Sequence, residues 1–365
     1  MSSNRPYKQI LEFLNETIDQ LDNKPNHKLP SERMLAIKFS ASRRSIRLAY
    51  DKLIEKKLVV KIHGKGHFTT GYSKHNTPHN VLNLKEIYLI IPFLRSDFTH
   101  DILLGISDFC EEHNLELTLK FTRGQLALES KYINMALNSD AKGIILFPID
   151  NELINTEIVK LSERRFPLTI IDRNFKNTNA SFVSSDNFNA MKSAIKFLHS
   201  KKVKNFVYLT APATLATSVV ERFNGFQEGV KEYYGNNPND STIIMDDFAP
   251  QTIYREFDKY LDSHPTPQVI ITYGVKHIVD SIFVVLNRRN ISPVKDVKFM
   301  IFDNDLTYDA ITYLKPYVIK QRAYQIGYES SALLYNQIYG DLRTETKRLP
   351  VDIIDLSKKV KLVQL

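Results

Sequence analysis

Apolar positions recur along this chain at two spacings, and the change between them divides it. From Tyr7 to Leu21 they fall every three or four residues (Ile10, Leu11, Leu14, Ile18, Leu21), which predicts an amphipathic helix. After a polar connection at Asn23–Lys28, Pro30, Ser31 and Glu32 read as a helix start, with Met34, Leu35 and Phe39 at helical spacing. The run breaks at Phe39-Ser40-Ala41. Ser42 opens another helix whose buried side is expected to be Ile46, Leu48, Ala49, Leu53 and Ile54. Leu58–Ile62 then reads as a strand, His63-Gly64-Lys65-Gly66 as a tight turn and His67–Thr70 as the return strand. Gly71–Asn80 is polar, aperiodic and carries a proline, so it is expected to link two domains.

Beyond Glu86 short apolar runs alternate with helical periods. Strands are predicted at Ile87–Pro92, Leu115–Phe121, Gly143–Pro148 and Leu168–Asp172, with helices at Asp101–Asn114, Gln125–Asn138 and Leu153–Arg165. A second series has helices at Phe188–Ser200, Ser218–Tyr234, Ile253–Ser263 and Lys276–Arg288. Its strands are Phe206–Thr210, Thr242–Asp246, Val269–Tyr273 and Val297–Asp303. Strands alternating with helices argue an α/β, doubly wound parallel fold, and about two hundred residues of it suit two similar lobes. Tyr317–Gln321, a helix over Tyr324–Gly340 and a strand at Arg348–Ile353 are expected to return the chain to the first lobe. The expected division is residues 1–70, a linker at 71–85, and a two-lobed domain at 86–365.

Charge sharpens the division. Of the net +8, the stretch Met1–Thr70 carries +7 (14 Lys and Arg against 7 Asp and Glu). A basic module joined to a nearly neutral one is the footprint of a nucleic-acid binder. No apolar run reaches the length of a membrane span, and the N-terminus has no apolar signal core, so the expected location is the cytoplasm, with no membrane partner. The single cysteine, Cys110, excludes an internal disulfide and a cysteine-based zinc site, and reads as a small core residue. The ten histidines form no spaced metal set, and phosphate-loop, dinucleotide, nucleophile-elbow and metalloprotease motifs are absent from the sequence. No catalytic residue, metal or cofactor is expected.

Two short helices joined so tightly make a helix-turn-helix. In that motif the N-terminal end of the second helix enters the major groove of double-stranded DNA, and here it carries Ser42, Arg43, Arg44, Ser45 and Arg47. Arginine suits the place because its planar fork pairs with guanine and clamps phosphate. Arg44 could equally face solvent. Lys61, His63, Gly64, Lys65 and Gly66 would form a cationic wing tip whose glycines allow close approach to a phosphate. The segments PSER-x-LA, SR-x-S-I-R and the wing G-x-G, in that order, resemble the winged helix-turn-helix of the gluconate-operon repressor (GntR) family. The resemblance implies DNA contacts by Arg33, Arg43 and Arg47, with Gly66 in the wing turn.

In open parallel sheets ligands sit beyond the carboxyl ends of strands. Those positions hold Phe93–Phe98, Pro148–Asp150, Asp172–Asn174, Asp303–Asp305 and Gln321. Carboxylates, amides, an arginine and an aromatic converging on one cleft suit a polyhydroxylated ligand. IIP…DF, LFPID, IIDR, VSSDN, ERFNGF, FMIFDND and VIKQRAYQIG resemble, in order, the sugar-binding effector domains of Lac-repressor-type regulators and their periplasmic relatives. Taken with the basic module, the chain resembles arabinose-repressor-type regulators. The resemblance implies ligand contacts at Phe98, Asp150, Arg173, Arg222, Asp303 and Gln321. Asp186 could instead buttress the turn into the next helix. One departure stands out. Where the family has an Asn or Asp pair after the strand Val269–Tyr273, this chain has Tyr273-Gly274, which removes a polar ligand and would place an aromatic wall there.

The expected function is transcription regulation, with repression the expected sign, by a homodimer whose operator affinity responds to a monosaccharide. Neutral sugars are favoured over phosphorylated ones because the cleft carries few cations. Two other readings remain open on the residues alone: a DNA-tethered α/β enzyme, and a DNA binder with a non-sugar effector or none.

Overall fold

The computed structural model describes residues 5–21, 27–56, 58–62, 66–70, 85–149, 155–175, 178–212, 216–340 and 342–358. The chain divides into two compact units, Met1–Leu84 and Lys85–Leu365.

In the first unit, α1 (Arg5–Gln20), α2 (Glu32–Phe39) and α3 (Arg43–Glu55) precede an antiparallel pair, β1 (Val59–Ile62) and β2 (Gly66–Thr69). The helix boundaries follow from local chemistry. Ser31 Oγ accepts from the Met34 N–H at 3.2 Å, capping α2. Ser40 ends it in the left-handed region (φ 48°), and Ser42 Oγ caps α3 by accepting from the Ser45 N–H at 3.2 Å. Ile10, Leu14 and Ile18 of α1, Leu35 of α2, and Ile46, Ala49, Tyr50 and Leu53 of α3 form the buried core. Burying each large side chain contributes roughly 1.5–3 kcal/mol. The Tyr50 hydroxyl donates to the Pro30 carbonyl, and its ring stacks on His67 at 3.8 Å, fastening α3 to β2.

Three details depart from the sequence reading. Met34 and Leu48, expected on buried faces, are 54% and 52% exposed. For Leu48 the reason is geometric: two residues past Ile46 lies about 200° round the helix, on the opposite side. The connection before α2 also does more than join. Leu29 N–H donates to His67 O and Thr69 N–H to His27 O, both at 2.9 Å, which lays His27–Leu29 along β2.

The second unit holds two six-stranded sheets. The first contains β3 (Lys85–Ile91), β4 (Leu115–Phe121), β5 (Gly143–Leu146), β6 (Leu168–Ile171) and β7 (Ser181–Ser185). Between them run α4 (Asp97–Glu112), α5 (Leu126–Leu137) and α6 (Thr156–Glu163). The chain then enters the second lobe with α7 (Asn187–Ser200), β8 (Phe206–Thr210), α8 (Thr217–Tyr234), β9 (Thr242–Ile244) and α9 (Pro250–Ser263). It continues with β10 (Val269–Tyr273), α10 (Lys276–Arg288), β11 (Lys298–Phe302), α11 (Tyr308–Leu314) and β12 (Tyr317–Lys320). Helix α12 (Ala323–Tyr339) returns to pack on α4, followed by β13 (Thr346–Leu349) and β14 (Asp352–Asp355). The strand orders are β4-β3-β5-β6-β7-β13 and β9-β8-β10-β11-β12-β14, parallel except for β14.

The predicted strand at Arg348–Ile353 is therefore two strands. β13 pairs with β7 in the first sheet and β14 with β12 in the second. Pro350 separates them, having no N–H to give a ladder. The chain thus crosses between lobes three times, at Asp186, at Gln321–Arg322 and at Pro350–Val351. The crossings are bonded together: the Asp186 N–H donates to Leu349 O at 2.8 Å, and Arg322 forms a forked pair with Asp352 at 3.1 and 3.2 Å. Asp186 also caps α7, its Oδ1 accepting from the Asn189 N–H at 3.2 Å, the buttressing role expected of it. Strand β7 and helix α11 were not anticipated.

Each lobe closes on a helix pair in near contact. A Cβ at Gly105 of α4 would lie 2.1 Å from the Tyr324 carbonyl oxygen of α12, and one at Gly225 of α8 would lie 2.1 Å from that of Phe188 in α7. Among the described residues no helix is long and apolar enough to cross a membrane. Cys110 is a buried free thiol, pushed up to about 12 by burial. Gly105→Ala should force α4 and α12 apart and destabilise the second unit by about 1–3 kcal/mol. Urea unfolding followed by circular dichroism measures this, and an unchanged midpoint would show that the contact is not tight.

Candidate functional site

On the first unit, α3 divides into two faces. Ile46, Ala49, Tyr50 and Leu53 are buried, and Arg43, Arg44, Arg47, Leu48 and Asp51 are exposed. Arg33, Arg43 and Arg44 make no ion pair among the described residues, so their guanidinium groups stand open to solvent. Arg47 differs: its Nε donates to Glu32 Oε2 at 3.1 Å, which draws it toward the start of α2. Ser42 and Ser45 are engaged in the cap, their hydroxyls 3.0 Å apart. Lys61 is exposed on β1. Gly66 has φ +113°, a conformation side chains rarely adopt. His63, Gly64 and Lys65 lie outside the described residues.

On the second unit, the candidate site grows from two aspartates at strand ends. Asp172 follows β6 and Asp303 follows β11, both in the left-handed region (φ 65° and 58°). Each donates its N–H at 3.0 Å to the neighbouring strand, Asp172 to Val183 O and Asp303 to Ile319 O. The two lobes thus present carboxylates by the same backbone device. Asp303 Oδ2 accepts from Gln321 Nε2 at 2.6 Å. Desolvation pushes the Asp303 carboxyl up to about 6, against the opposing pull of the Arg222 guanidinium and the Gln321 hydrogen bonds.

Arg222 of α8 is itself buried. Its Nε donates to Asn187 Oδ1 at 2.8 Å, and its guanidinium lies 3.6 Å from the Phe302 ring centre. Across the cleft, Arg173 donates from Nη1 to Pro148 O at 3.1 Å, with its Nε 3.6 Å from Asp172 Oδ2. Buried Glu129 of α5 accepts from the Ile149 N–H at 2.9 Å and from Asn155 Nδ2 at 3.0 Å, so it ties Ile149 to Asn155. Asp150 lies outside the described residues.

A hollow of about 280 Å³ opens beside Asp303, lined in part by Asp97, Phe98, Asp101, Asn304 and Gln321. Gln321 Oε1 and Asn304 Oδ1 are buried acceptors that receive no hydrogen bond among the described residues. The lining itself sets the carboxylates of Asp97, Asp101 and Asp303 against the ammonium of Lys320, so acceptors prevail and the hollow is chemically suited to a hydroxyl-bearing molecule. Three of the residues named from sequence, Phe98, Asp303 and Gln321, line this hollow. Arg173, Arg222 and Tyr273 are not part of its lining, although the charge of Arg222 acts on Asp303.

The Tyr273 ring packs edge-on to Phe248 at 5.4 Å and against the apolar core, so the aromatic wall expected of it does not line the hollow. Gly274 has a packing reason: a Cβ there would lie 2.3 Å from the Asp303 carbonyl oxygen. Asp172 and Asn304 belong to the strand-end positions that the sequence places at the cleft, and Asn187 is the group it does not single out. Asn187 gave no signal until α8 brought Arg222 to it.

The lobes touch around the cleft. Arg348 of β13 makes a forked pair with Glu221 of α8 at 2.8 and 2.9 Å. The Asn174 N–H donates to Thr217 Oγ1 at 2.9 Å, and the Asp97 N–H to Asp305 Oδ1 at 3.0 Å.

Comparison with known proteins follows this division. A family model described as periplasmic binding protein domain matches residues 87–342, and one described as bacterial regulatory proteins, gntR family, matches residues 6–68. The sequence is similar to two proteins named arabinose metabolism transcriptional repressor. One, from Halalkalibacterium halodurans, is 24% identical over 44% of each chain, and the other, from Geobacillus stearothermophilus, is 20% identical over 86% of each. The match thus spans under half the length of the first relative and most of the second.

Among solved structures, a LacI family transcriptional regulator from Enterococcus faecium with bound ribose superposes with TM-score 0.59 at 20% identity, covering 74% of this chain and 97% of that one. The transcription regulator CcpA of Lactococcus lactis gives 0.62 at 14% identity, with the same coverage. These likenesses establish the fold of the second unit.

The carboxyl at 303 carries a pH signature. Its folded pKa, about 6, lies above the ordinary aspartate value of 3.8. The folded state therefore holds the proton longer, and stability should fall as pH rises from about 4 to about 6, by on the order of 3 kcal/mol. Urea unfolding across that window should show the fall in the wild type relative to Asp303→Asn. Parallel profiles would mean that the carboxylate is already ionised in the folded cleft.

Proposed function

The chain belongs to the periplasmic binding protein domain family and carries a gntR-family DNA-binding domain at its N-terminus, and from that premise we propose that it is a transcription regulator controlled by a neutral monosaccharide. It is a regulator rather than an enzyme. The first unit binds operator DNA through Arg33, Ser42, Arg43, Arg44, Ser45 and Arg47, with the wing residues Lys61, His63, Gly64, Lys65 and Gly66 against the phosphate backbone. Residues 71–84 link it to the effector domain, whose first strand takes up Lys85, one residue earlier than the sequence division puts it.

The observation that carries the ligand class is the acceptor-rich hollow at Asp303. Asp97, Asp101 and Asp303 offer carboxylate acceptors there, and Phe98 adds an apolar side. Sugar hydroxyls supply the donors, and the C–H face of the sugar covers the aromatic. Asp303 and Gln321 hold the hydroxyls, with Arg222 acting through its charge on Asp303, and Asp150 and Arg173 are the first lobe's contribution. Arabinose in the names of two relatives and ribose in one structural neighbour support a pentose. The protein acts in the cytoplasm as a homodimer on a two-fold operator, because two symmetric half-sites match two symmetric subunits. It represses until the sugar binds, and the sugar changes operator affinity only by favouring one lobe arrangement over the other.

A thermal-shift series with L-arabinose, D-ribose, D-xylose, D-glucose and their phosphates tests the ligand class. One neutral sugar at a hundred times its dissociation constant should stabilise the fold by about 2.7 kcal/mol. Arg222→Ala and Asp303→Asn should abolish the shift while remaining folded. A response to phosphorylated sugars alone, or none at all, would contradict this reading.

A further inference from the structure

We infer that Leu48 reads the operator, packing against the 5-methyl group of a thymine in the major groove. This rests on the DNA-binding reading above and adds a base-specific contact to it. The helix α3 buries one stripe completely: Ile46 and Leu53 are 0% exposed and Tyr50 is 1%. Its other face presents Arg43, Arg44, Arg47, Leu48 and Asp51 to solvent. Leu48 is the one large aliphatic side chain on that face, 52% exposed, in the second helical turn and one full turn beyond Arg44.

A single exposed leucine on a protein surface ordinarily calls for no explanation. Its position gives this one a meaning. It sits among the side chains that would meet base edges, in the part of the helix that penetrates the groove. The adjacent Arg47 is drawn aside to Glu32 at 3.1 Å, and Leu48 keeps 52% of its surface exposed. The major-groove edges of the four bases carry donors, acceptors and one apolar group, the thymine methyl. An aliphatic side chain on the reading face therefore has one complementary partner. A polar residue at 48 would bond water equally well at every sequence, whereas leucine gains only where a methyl group replaces that water.

The test uses the full chain. A half-site is first selected from randomised duplex DNA by repeated binding and amplification. Each thymine of the selected site is then replaced singly by deoxyuridine, which removes the methyl group and nothing else. Affinities are read by fluorescence anisotropy for the wild type and Leu48→Ala, the latter an exposed change to the best helix former.

One thymine per half-site should prove methyl-sensitive, deoxyuridine there weakening wild-type binding about three- to five-fold, the scale of one buried methyl group. Leu48→Ala should bind the thymine and deoxyuridine sites equally, and the deoxyuridine site nearly as well as the wild type does. Undiminished methyl sensitivity in Leu48→Ala, or no methyl-sensitive thymine, would overturn the role of Leu48 while leaving DNA binding intact. Failure of the wild type to enrich any sequence would overturn the DNA-binding reading and this inference together.

Discussion

The hydrogen bond from Gln321 to Asp303 joins the chemistry of the cleft to the mechanics of the lobes. Gln321 is the residue at which the chain leaves the second sheet for the first, so the buried carboxylate is fastened to a crossing. Arg222 repeats the arrangement, since its partner Asn187 directly follows the crossing at Asp186. The crossings are in turn bonded to one another, Asp186 to Leu349 and Arg322 to Asp352. A ligand that competes for Asp303 or Arg222 therefore acts on the segments that join the lobes. The desolvation that raises the Asp303 pKa also strengthens any hydroxyl bond made there, because few waters compete for it.

The DNA-binding unit works on a different scale. Its core is small, and its shape depends on a few local devices: serine caps at Ser31 and Ser42, the left-handed Ser40 between the helices, and the Tyr50 ring stacked on His67. These hold α3 with its apolar stripe inward and its arginines outward. The pairing of Arg47 with Glu32 also ties the exposed face of α3 to the start of α2.

Much of this was legible in the sequence because strand and helix periods are strong where one face is buried. Val269–Tyr273 and Lys276–Arg288 fall where their patterns put them, and so does the helix-turn-helix. The failures have identifiable causes. Strand β7 (SFVSS) is fully buried yet rich in serine, so it shows neither an apolar run nor alternation. Arg348–Ile353 reads as one strand because the pattern cannot show that Pro350 hands the chain from one sheet to the other. Leu48 was assigned to the core on hydrophobicity alone, when its angle round the helix from Ile46 already placed it outside. In the cleft, position after a strand identified Asp303 and Gln321. Pairings such as Arg222 with Asn187 arise only when distant helices pack. Gly274 looked like a lost ligand, and the close approach of the Asp303 carbonyl gives it a structural reason.

On the proposed function, occupancy of the cleft governs the DNA-binding unit. The most direct measurement is the affinity of the full-length protein for its selected operator duplex, titrated at fixed salt with and without a saturating neutral pentose that stabilises the fold. Adding the sugar should lower operator affinity by about five- to 150-fold, with no loss in Asp303→Asn. Equal operator affinity in both conditions, with the sugar demonstrably bound, would contradict that reading.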